Sequence, residues 1–345
     1  MSNVEFNVAV VGATGAVGEQ IIKLLDKRNF PIKSLKLLSS PRSAGTVINF
    51  KGQDIVVETA TPESFEGVDI ALFSAGGDVS KALAPHAIER GVVCIDNTNA
   101  YRMDPNTPLV VPEVNPDQIF EHNGLIANPN CSTIQMVAAL KPLYDRYGIE
   151  RIIVSTYQAV SGAGAKAISE LNRQSAAVLN GDAFEPDILP VGALPVKHQI
   201  AFNAVPQIDK FQDNGYTLEE MKMVRETKKI LNDESVSVTA TCVRIPVVYG
   251  HSESVYVELK QDYKLEDVRE LLASAPGITL VDDPTNQAYP LATTAAGELD
   301  VFVGRLREDL GNSRGLNMWI VSDNLLKGAA WNAVQIAEII AAKKA

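Results

Sequence analysis

Hydrophobic and polar positions along this chain fall into blocks that alternate between strand-like and helix-like spacing. The apolar run Val8-Ala9-Val10-Val11 has the form of a strand buried on both faces. It leads into Gly12-Ala13-Thr14-Gly15-Ala16-Val17-Gly18, after which Ile21, Ile22, Leu24 and Leu25 recur with helical spacing. Strand candidates follow at Leu35–Leu38, Asp54–Glu58, Asp69–Phe73 and Val92–Ile95, with a helical pattern over Val79–Arg90 before the last. This alternation predicts a doubly wound α/β domain.

The short apolar run Leu125-Ile126-Ala127 is followed by the turn Asn128-Pro129-Asn130. A helix then starts at or near Cys131, with apolar positions at Ile134, Val137, Ala138, Leu140, Leu143 and Tyr144. Beyond it the pattern gives a strand at Ile152–Tyr157 and a helix from about Lys166 to Leu179. An irregular Pro- and Gly-rich segment, Gly181–Gly215, comes next and is a candidate for subunit contacts. Thr217-Leu218-Glu219-Glu220 fits a capping box that opens a helix through Met221, Val224 and Ile230. Val236, Val238, Ala240 and Cys242 alternate with Ser237, Thr239 and Thr241, as in a half-buried strand, and the same parity turns Arg244 inward. Val255, Val257 and Leu259 share parity with His251, which sets Arg244 and His251 near each other at adjoining strand ends. Strands near Val301–Leu306 and Met318–Val321 precede a last, Ala-rich helix from Leu325 to about Ala342, suited to pack back on the first domain. The expected organisation is a Rossmann-like domain over residues 1–130, with 324–345 returning to it, and an α+β domain over 131–323.

At 345 residues, two domains are the natural expectation, and 46% hydrophobic with 21% charged residues suits a well-packed soluble chain. A formal net charge of −11 argues against a broad nucleic-acid or anionic-membrane surface, so anionic substrates would be held by a few local arginines and lysines. No apolar run approaches a membrane span and the N-terminus runs straight into a strand, so a cytoplasmic location is expected. The three cysteines and four histidines are scattered, without spacing for a disulfide framework or a zinc site.

Four stretches carry candidate chemistry. The strand, glycine loop and helix at the N-terminus form the first turn of a dinucleotide-binding unit, although the spacing is GxxGxxG rather than GxGxxG. After the second strand, Ser39-Ser40-Pro41-Arg42-Ser43 offers hydroxyls and a guanidinium where an NAD site usually has an acid. Arg42 alone reads equally as a solvated surface residue; with the glycine loop upstream it points to the 2′-phosphate of NADP. Cys131 reads either as a small buried hydrophobe or as a nucleophile, whose thiolate the positive end of a helix would favour. Asp96-Asn97-Thr98-Asn99-Ala100-Tyr101-Arg102 is a candidate anion clamp. Gln158-Ala159-Val160-Ser161-Gly162-Ala163-Gly164 is a second small-residue loop with an amide at its lip, or a plain strand-to-helix turn. A buried Arg244 needs an acid or a bound anion; beside it, His251 is as readily a functional group as a satisfied core histidine. Lys222 reads by default as a solvated charge, and Cys94, Cys242 and Trp331 read as core.

Taken together, Val11–Gly18, Asn130-Cys131-Ser132-Thr133, Gln158–Gly164 and Arg244-Ile245-Pro246-Val247 with Gly250-His251 resemble the aspartate-semialdehyde dehydrogenase family over essentially the whole chain. The length matches the shorter bacterial-type enzymes. The resemblance implies reversible conversion of L-aspartate 4-semialdehyde, phosphate and NADP to L-4-aspartyl phosphate and NADPH. Biosynthesis toward lysine (through diaminopimelate), threonine, methionine and isoleucine would run it in the reducing direction. By motif, Cys131 would be the nucleophile that forms a thiohemiacetal and then a thioester, His251 the acid/base group, and Gln158 an orienting residue. Arg244 would hold the substrate carboxylate, and Arg102 and Lys222 the phosphate, with Asn130 and Glu219 in the same substrate network. Cofactor contacts would come from Gly12, Thr14, Gly15, Ala16, Val17, Ser39, Arg42, Ser43, Ser161, Gly162 and, by position, Asn324. No metal is implied, and a homodimer or dimer of dimers is expected. Thr98, Asn99 and Tyr101 depart from the Ser-rich, Phe-containing form of their loop in the family. N-acetyl-γ-glutamyl-phosphate reductase and glyceraldehyde-3-phosphate dehydrogenase share the thioester logic, but Arg244 beside His251 favours a small amino-acid carboxylate. A non-catalytic NADP-binding regulator would have no need of Cys131, Gln158, Arg244 and His251 together.

Overall fold

The computed structural model describes residues 4–344, which form two compact units: the described residues up to Asn130 with those from Gly328 onward, and Cys131–Lys327. The boundary near the C-terminus thus falls four residues later than the sequence suggests.

The first unit begins with β1 (Phe6–Val11), α1 (Ala16–Lys27), β2 (Ile32–Ser39), β3 (Val47–Phe50), β4 (Gln53–Val56) and β5 (Glu58–Thr59). It continues with β6 (Ile70–Phe73), α2 (Gly77–Glu89), β7 (Val93–Asp96) and β8 (Leu125–Ala127). Six strands in the order β5-β2-β1-β6-β7-β8 make an all-parallel sheet, buried as such sheets must be when helices cover both faces. Phe73, Leu83, Ala84, Cys94 and Leu125 share its core with Val11 and Leu38. The single strand expected at Asp54–Glu58 is instead two. β4 folds back antiparallel on β3, and β5 is a short edge strand beside β2. The β3–β4 reversal is made by the turn at Lys51 and Gly52, both with positive φ (50° and 80°), the pair of conformations that joins a tight hairpin.

The second unit runs through α3 (Cys131–Tyr147), β9 (Ile149–Gln158), α4 (Ala165–Asn180), α5 (Leu218–Leu231), β10 (Ser237–Arg244), β11 (His251–Leu259) and α6 (Leu265–Ala273). It ends with β12 (Ile278–Leu280), α7 (Ala292–Ala295), β13 (Val301–Glu308) and β14 (Gly315–Ser322). The sheet order is β10-β9-β11-β14-β13-β12, a mixed sheet on which α3, α5 and α6 pack. As the composition suggests, residues 181–216 contain no helix or named strand. Buried side chains of α4 hold this segment. Glu170 accepts the amides of Asp187, Ile188 and Leu189, and Gln174 accepts those of Ile200 and Ala201. Each of these amides, left unpaired in the interior, would cost about 1–3 kcal/mol.

The last helix, α8 (Trp331–Lys344), belongs to the first unit and follows a π-helical turn at Leu326–Ala330, where an uninterrupted α-helix from Leu325 was expected. Arg28 at the end of α1 pairs with Glu338 at 2.9 Å and lies over the Trp331 ring. Asn332 donates to the Val110 carbonyl at 2.9 Å and to Asn128 Oδ1 at 2.6 Å. Among the described residues no helix is long and apolar enough to cross a membrane, and no cluster of metal-ligating side chains occurs.

Candidate active site

The register of the second sheet builds the site. Arg244 at the end of β10 is paired with Gln158 at the end of β9. On the other side of β9, β11 runs antiparallel with Ser252 opposite Tyr157, so His251 stands beside Gln158; His251 in turn pairs with Ser322 of β14. Arg244, Gln158, His251 and Ser322 therefore form one row across the sheet, all buried. The next row on the same face is Cys242, Thr156, Glu253 and Ile320. Arg244 and His251 are not on adjoining strands, as their spacing suggested: β9 lies between them. The connection between β10 and β11 crosses the end of β9, where Val247 and Val248 accept the amides of Val160 and Ser161. It still brings the two side chains to one point. A Cβ on Gly162 would lie 3.1 Å from Arg244 Nη1 and 3.3 Å from His251 Nε2.

Hydrogen bonds fix most of the row. Gln158 accepts from the Thr156 hydroxyl at 2.9 Å and donates to Glu219 Oε1 at 3.1 Å. Glu219 Oε2 pairs with Lys222 at 3.0 Å, which also reaches Asp209 at 3.3 Å. His251 Nδ1 accepts the Ala159 amide at 3.0 Å. Arg244 Nη1 donates to the Ala159 carbonyl at 2.7 Å, whereas its Nε has no hydrogen-bond partner although fully buried. Asn324 bridges Ser161 (2.9 Å) and the Gly250 amide (3.0 Å).

Cys131 opens α3 and is partly exposed, unlike the buried Cys94 and Cys242. It is near enough to Arg244 for their charges to interact. One turn further on, Gln135 donates to the His251 carbonyl at 3.3 Å and accepts from Ser322 at 2.7 Å, tying the cysteine helix to β11 and β14. Burial, aided by the Arg244 charge and opposed by Glu219, pushes His251 down to about 3, so its imidazole is neutral. Burial also lowers Arg244, opposed by Glu219 and Cys131, and pushes the Glu253 carboxyl well above the usual carboxylate range.

In the first unit, Gly12, Thr14, Gly15, Ser39, Arg42 and Ser43 line one cavity of about 800 Å³, together with Asp78, Val79 and Leu83 of α2. Gly12 has φ +89°, and a Cβ there would lie 2.9 Å from the Ala75 amide nitrogen, so the loop is closed to any larger residue. Gly15 is the N-cap of α1, and Ala16 and Val17 form its first turn, where helix amides have no partner four residues back. Thr14 and Ser39 join the loop to β2 at 3.0 Å. This is a fitting seat for a pyrophosphate on a helix start. Arg102 donates to the carbonyls of Asn128 (2.9 Å) and Asn97 (2.8 Å), and Asn128 bonds Asn97 Oδ1 at 2.9 Å. Asn130 is buried at the end of this unit. Asp96 holds the same loop through Ser80 and Thr98, and burial raises its carboxyl against their pull.

Cys131, Gln158, Ser161, Gly162, Glu219, Lys222, Arg244, His251 and Asn324 thus lie in the second unit, and the remaining candidates in the first. Thr156, Gln135, Ser322 and Glu253 escape the sequence reading. Thr156 and Glu253 share strand parity with Gln158 and His251, a signal the sequence does carry; Gln135 and Ser322 emerge only once α3 is seated on the sheet.

Two families match. Residues 7–122 match "Semialdehyde dehydrogenase, NAD binding domain", and residues 140–327 match "Semialdehyde dehydrogenase, dimerisation domain". The chain is 63% identical over 333 residues to the aspartate-semialdehyde dehydrogenase of Bacillus subtilis, covering 96% of each chain. It is 55% identical over 338 residues to that of Aquifex aeolicus, covering 97% of this chain and 98% of the other. Its fold is similar to that of Vibrio cholerae aspartate semialdehyde dehydrogenase II complexed with ASA, with TM-score 0.92, 51% identity and 98% of each chain covered. A Candida albicans aspartate semialdehyde dehydrogenase with NADP is similar at TM-score 0.75, with 28% identity and 99% of each chain covered. The chain belongs to the aspartate-semialdehyde dehydrogenase family, oxidoreductases of amino-acid biosynthesis with an NAD(P)-binding domain.

Proposed function

We propose that the chain converts L-aspartate 4-semialdehyde and phosphate to L-4-aspartyl phosphate with NADP, and the reverse in biosynthesis, through a thioester on Cys131. Cys131 attacks the aldehyde to give a thiohemiacetal, and the derived thioester keeps the acyl group activated for phosphate. NADP, when bound, accepts or supplies the hydride. Arg244 holds the substrate α-carboxylate with its guanidinium fork; Gln158 and Glu219 orient the substrate. Arg102 and Lys222 bind phosphate, and Asn130 belongs to the same network. His251 serves the reacting oxygen as the acid/base group of the resemblance, in a neutral state.

The observation that carries this reading is the buried row of Arg244, Gln158 and His251, with Arg244 Nε lacking a partner and Cys131 within electrostatic reach. A buried guanidinium with a free N–H favours an anionic ligand. The Vibrio cholerae relative complexed with ASA supports the substrate. For NADP, the supports are Arg42, Ser39 and Ser43 on the cavity wall, at the end of the second strand where an NAD site usually carries an acid, and the Candida albicans relative with NADP. The Gly12–Val17 loop would take the pyrophosphate, with Ser161, Gly162 and Asn324 as further cofactor contacts. A homodimer or dimer of dimers accords with the matched dimerisation domain; the expected location is the cytoplasm. The test is NADPH formation from the semialdehyde: turnover requiring phosphate supports the reading, and turnover indifferent to phosphate, or none, refutes it.

A further inference from the structure

We infer that Asp209 makes the phosphate site at Lys222 selective for oxyanions that still carry a proton, such as hydrogen phosphate, over fully ionised ones such as sulfate. This rests on the proposed reading that Lys222 binds the phosphate, and it adds a residue which that reading does not use.

Main-chain ties on both sides hold Asp209 in place. Val205 exchanges two backbone hydrogen bonds with Arg244 at the end of β10, at 2.8 and 2.9 Å. Five residues later, the Lys210 carbonyl accepts the amide of Leu218, the first residue of α5, at 2.8 Å. Between these ties Ile208 is buried and Asp209 has φ +67°, a left-handed conformation that Asp tolerates better than most residues. Asp209 Oδ1 accepts the Lys210 amide at 2.8 Å, and Oδ2 accepts from Lys222 at 3.3 Å. The start of α5 is fixed as firmly. Glu220 accepts the Thr217 amide at 2.7 Å in the capping box and the Cys242 amide of β10 at 3.0 Å, so Lys222 leaves the helix at a set place.

Lys222 therefore faces two carboxylates, and they differ. The Glu219 side chain is 6% exposed and has both oxygens engaged, Oε1 by Gln158 at 3.1 Å and Oε2 by Lys222 at 3.0 Å. Asp209 is 30% exposed, its bond to Lys222 is the longer one, and each of its oxygens keeps a second lone pair. Asp209 is thus the acid that an anion arriving at Lys222 meets.

A carboxylate has no hydrogen to give. It repels an incoming anion unless that anion brings its own proton, and one proton between two anionic oxygens makes a short, charge-assisted bond. Inorganic phosphate near neutral pH keeps at least one proton; sulfate keeps none. The pull of Lys222 is common to both, because an ammonium acts as a point charge. Glu219 and Asp209 weaken that common pull, and Asp209 returns a hydrogen bond to phosphate alone. Refusing an analogue that lacks the hydrogen a polar site is built to receive is the kind of discrimination such sites achieve most readily.

The test uses the full chain, with sulfate as competitor of phosphate in NADPH formation at constant ionic strength, for the parent, Asp209→Asn and Asp209→Gly. Asparagine keeps the shape and accepts the left-handed backbone, but it removes the charge and offers an N–H. Glycine suits the same φ and offers nothing. The ratio of the sulfate inhibition constant to the phosphate KM should be at least about tenfold in the parent, and each substitution should lower it at least about fivefold. A smaller ratio in the parent, or a smaller change in either variant that keeps the parent's Tm, overturns the inference. A residue that merely propped up Lys222 would weaken both anions alike and leave the ratio where it was. The same ratio is read without turnover from the broadening of the phosphorus-31 line of inorganic phosphate by the chain and its reversal by sulfate. A chain inactive on the semialdehyde would refute the proposed function, while the phosphorus spectra would still decide the role of Asp209.

Discussion

Replacing Arg244 by lysine keeps a positive charge in the row and removes the fork. The guanidinium is 4% exposed and already spends Nη1 on the Ala159 carbonyl at 2.7 Å, while Nε has no protein partner. An ammonium is a point charge on a flexible stem, so it must satisfy either the Ala159 carbonyl or the substrate carboxylate, never both in the guanidinium's geometry. One charge-assisted hydrogen bond is then lost, worth roughly 1.5–3 kcal/mol. At about 1.4 kcal/mol per tenfold, that is roughly a 10- to 150-fold fall in kcat/KM for the semialdehyde. The carboxylate is remote from the bond being made, so its contact is shared by ground and transition states and most of the loss should appear in KM. Initial rates with varied semialdehyde, at saturating NADP and phosphate, measure it, with Tm as the check on folding. A kcat/KM within about twofold of the parent, from a variant with unchanged Tm, would remove Arg244 from the carboxylate site.

Three further outcomes are expected. Gly162→Ala sets a methyl 3.1 Å from Arg244 Nη1 and 3.3 Å from His251 Nε2, so activity should drop well below half with Tm nearly unchanged; full activity would mean the space is not used. NADP should be preferred over NAD in kcat/KM, and Arg42→Ala should shrink the preference about tenfold or more by loss of a charge-assisted bond; equal use of both cofactors by the parent chain argues against the 2′-phosphate reading. Glu253→Gln tests the buried carboxyl through stability. Its folded-state pKa is raised, so the unfolded chain ionises first, and the acid's contribution is fully present below the unfolded value and lost as pH rises above it. The glutamine variant should therefore gain on the parent as pH rises above the unfolded carboxylate value, by at most about 1.4 kcal/mol per pH unit, and a Tm difference that stays flat as pH rises contradicts the assignment.

The strand-loop-helix start was legible because a fully buried parallel strand and a glycine turn leave a local signature that no distant contact rewrites. The inward parity of Arg244 was legible for the same reason: β10 is unbroken from Ser237 to Arg244. The nearness of Arg244 and His251 was legible too, but the strand that separates them was not, because strand order is decided by how the chain crosses β9, and nothing between Ile245 and Gly250 encodes that crossing in its pattern. The β3–β4 hairpin was missed because its turn uses Lys51 at positive φ in place of the Asn or Asp that usually marks such turns. Gln135 reads as one more position on a buried helix; its work depends on a carbonyl 116 residues away in sequence.

The thioester at Cys131 can be tested by rapid mixing of the chain with semialdehyde and NADP in the absence of phosphate. The expected trace is a burst of NADPH close to one equivalent per active site, with the acyl mass carried on the Cys131 peptide and steady turnover only after phosphate is added. Continuous NADPH formation without phosphate, or a burst of the same size from Cys131→Ala, would contradict covalent catalysis at this cysteine.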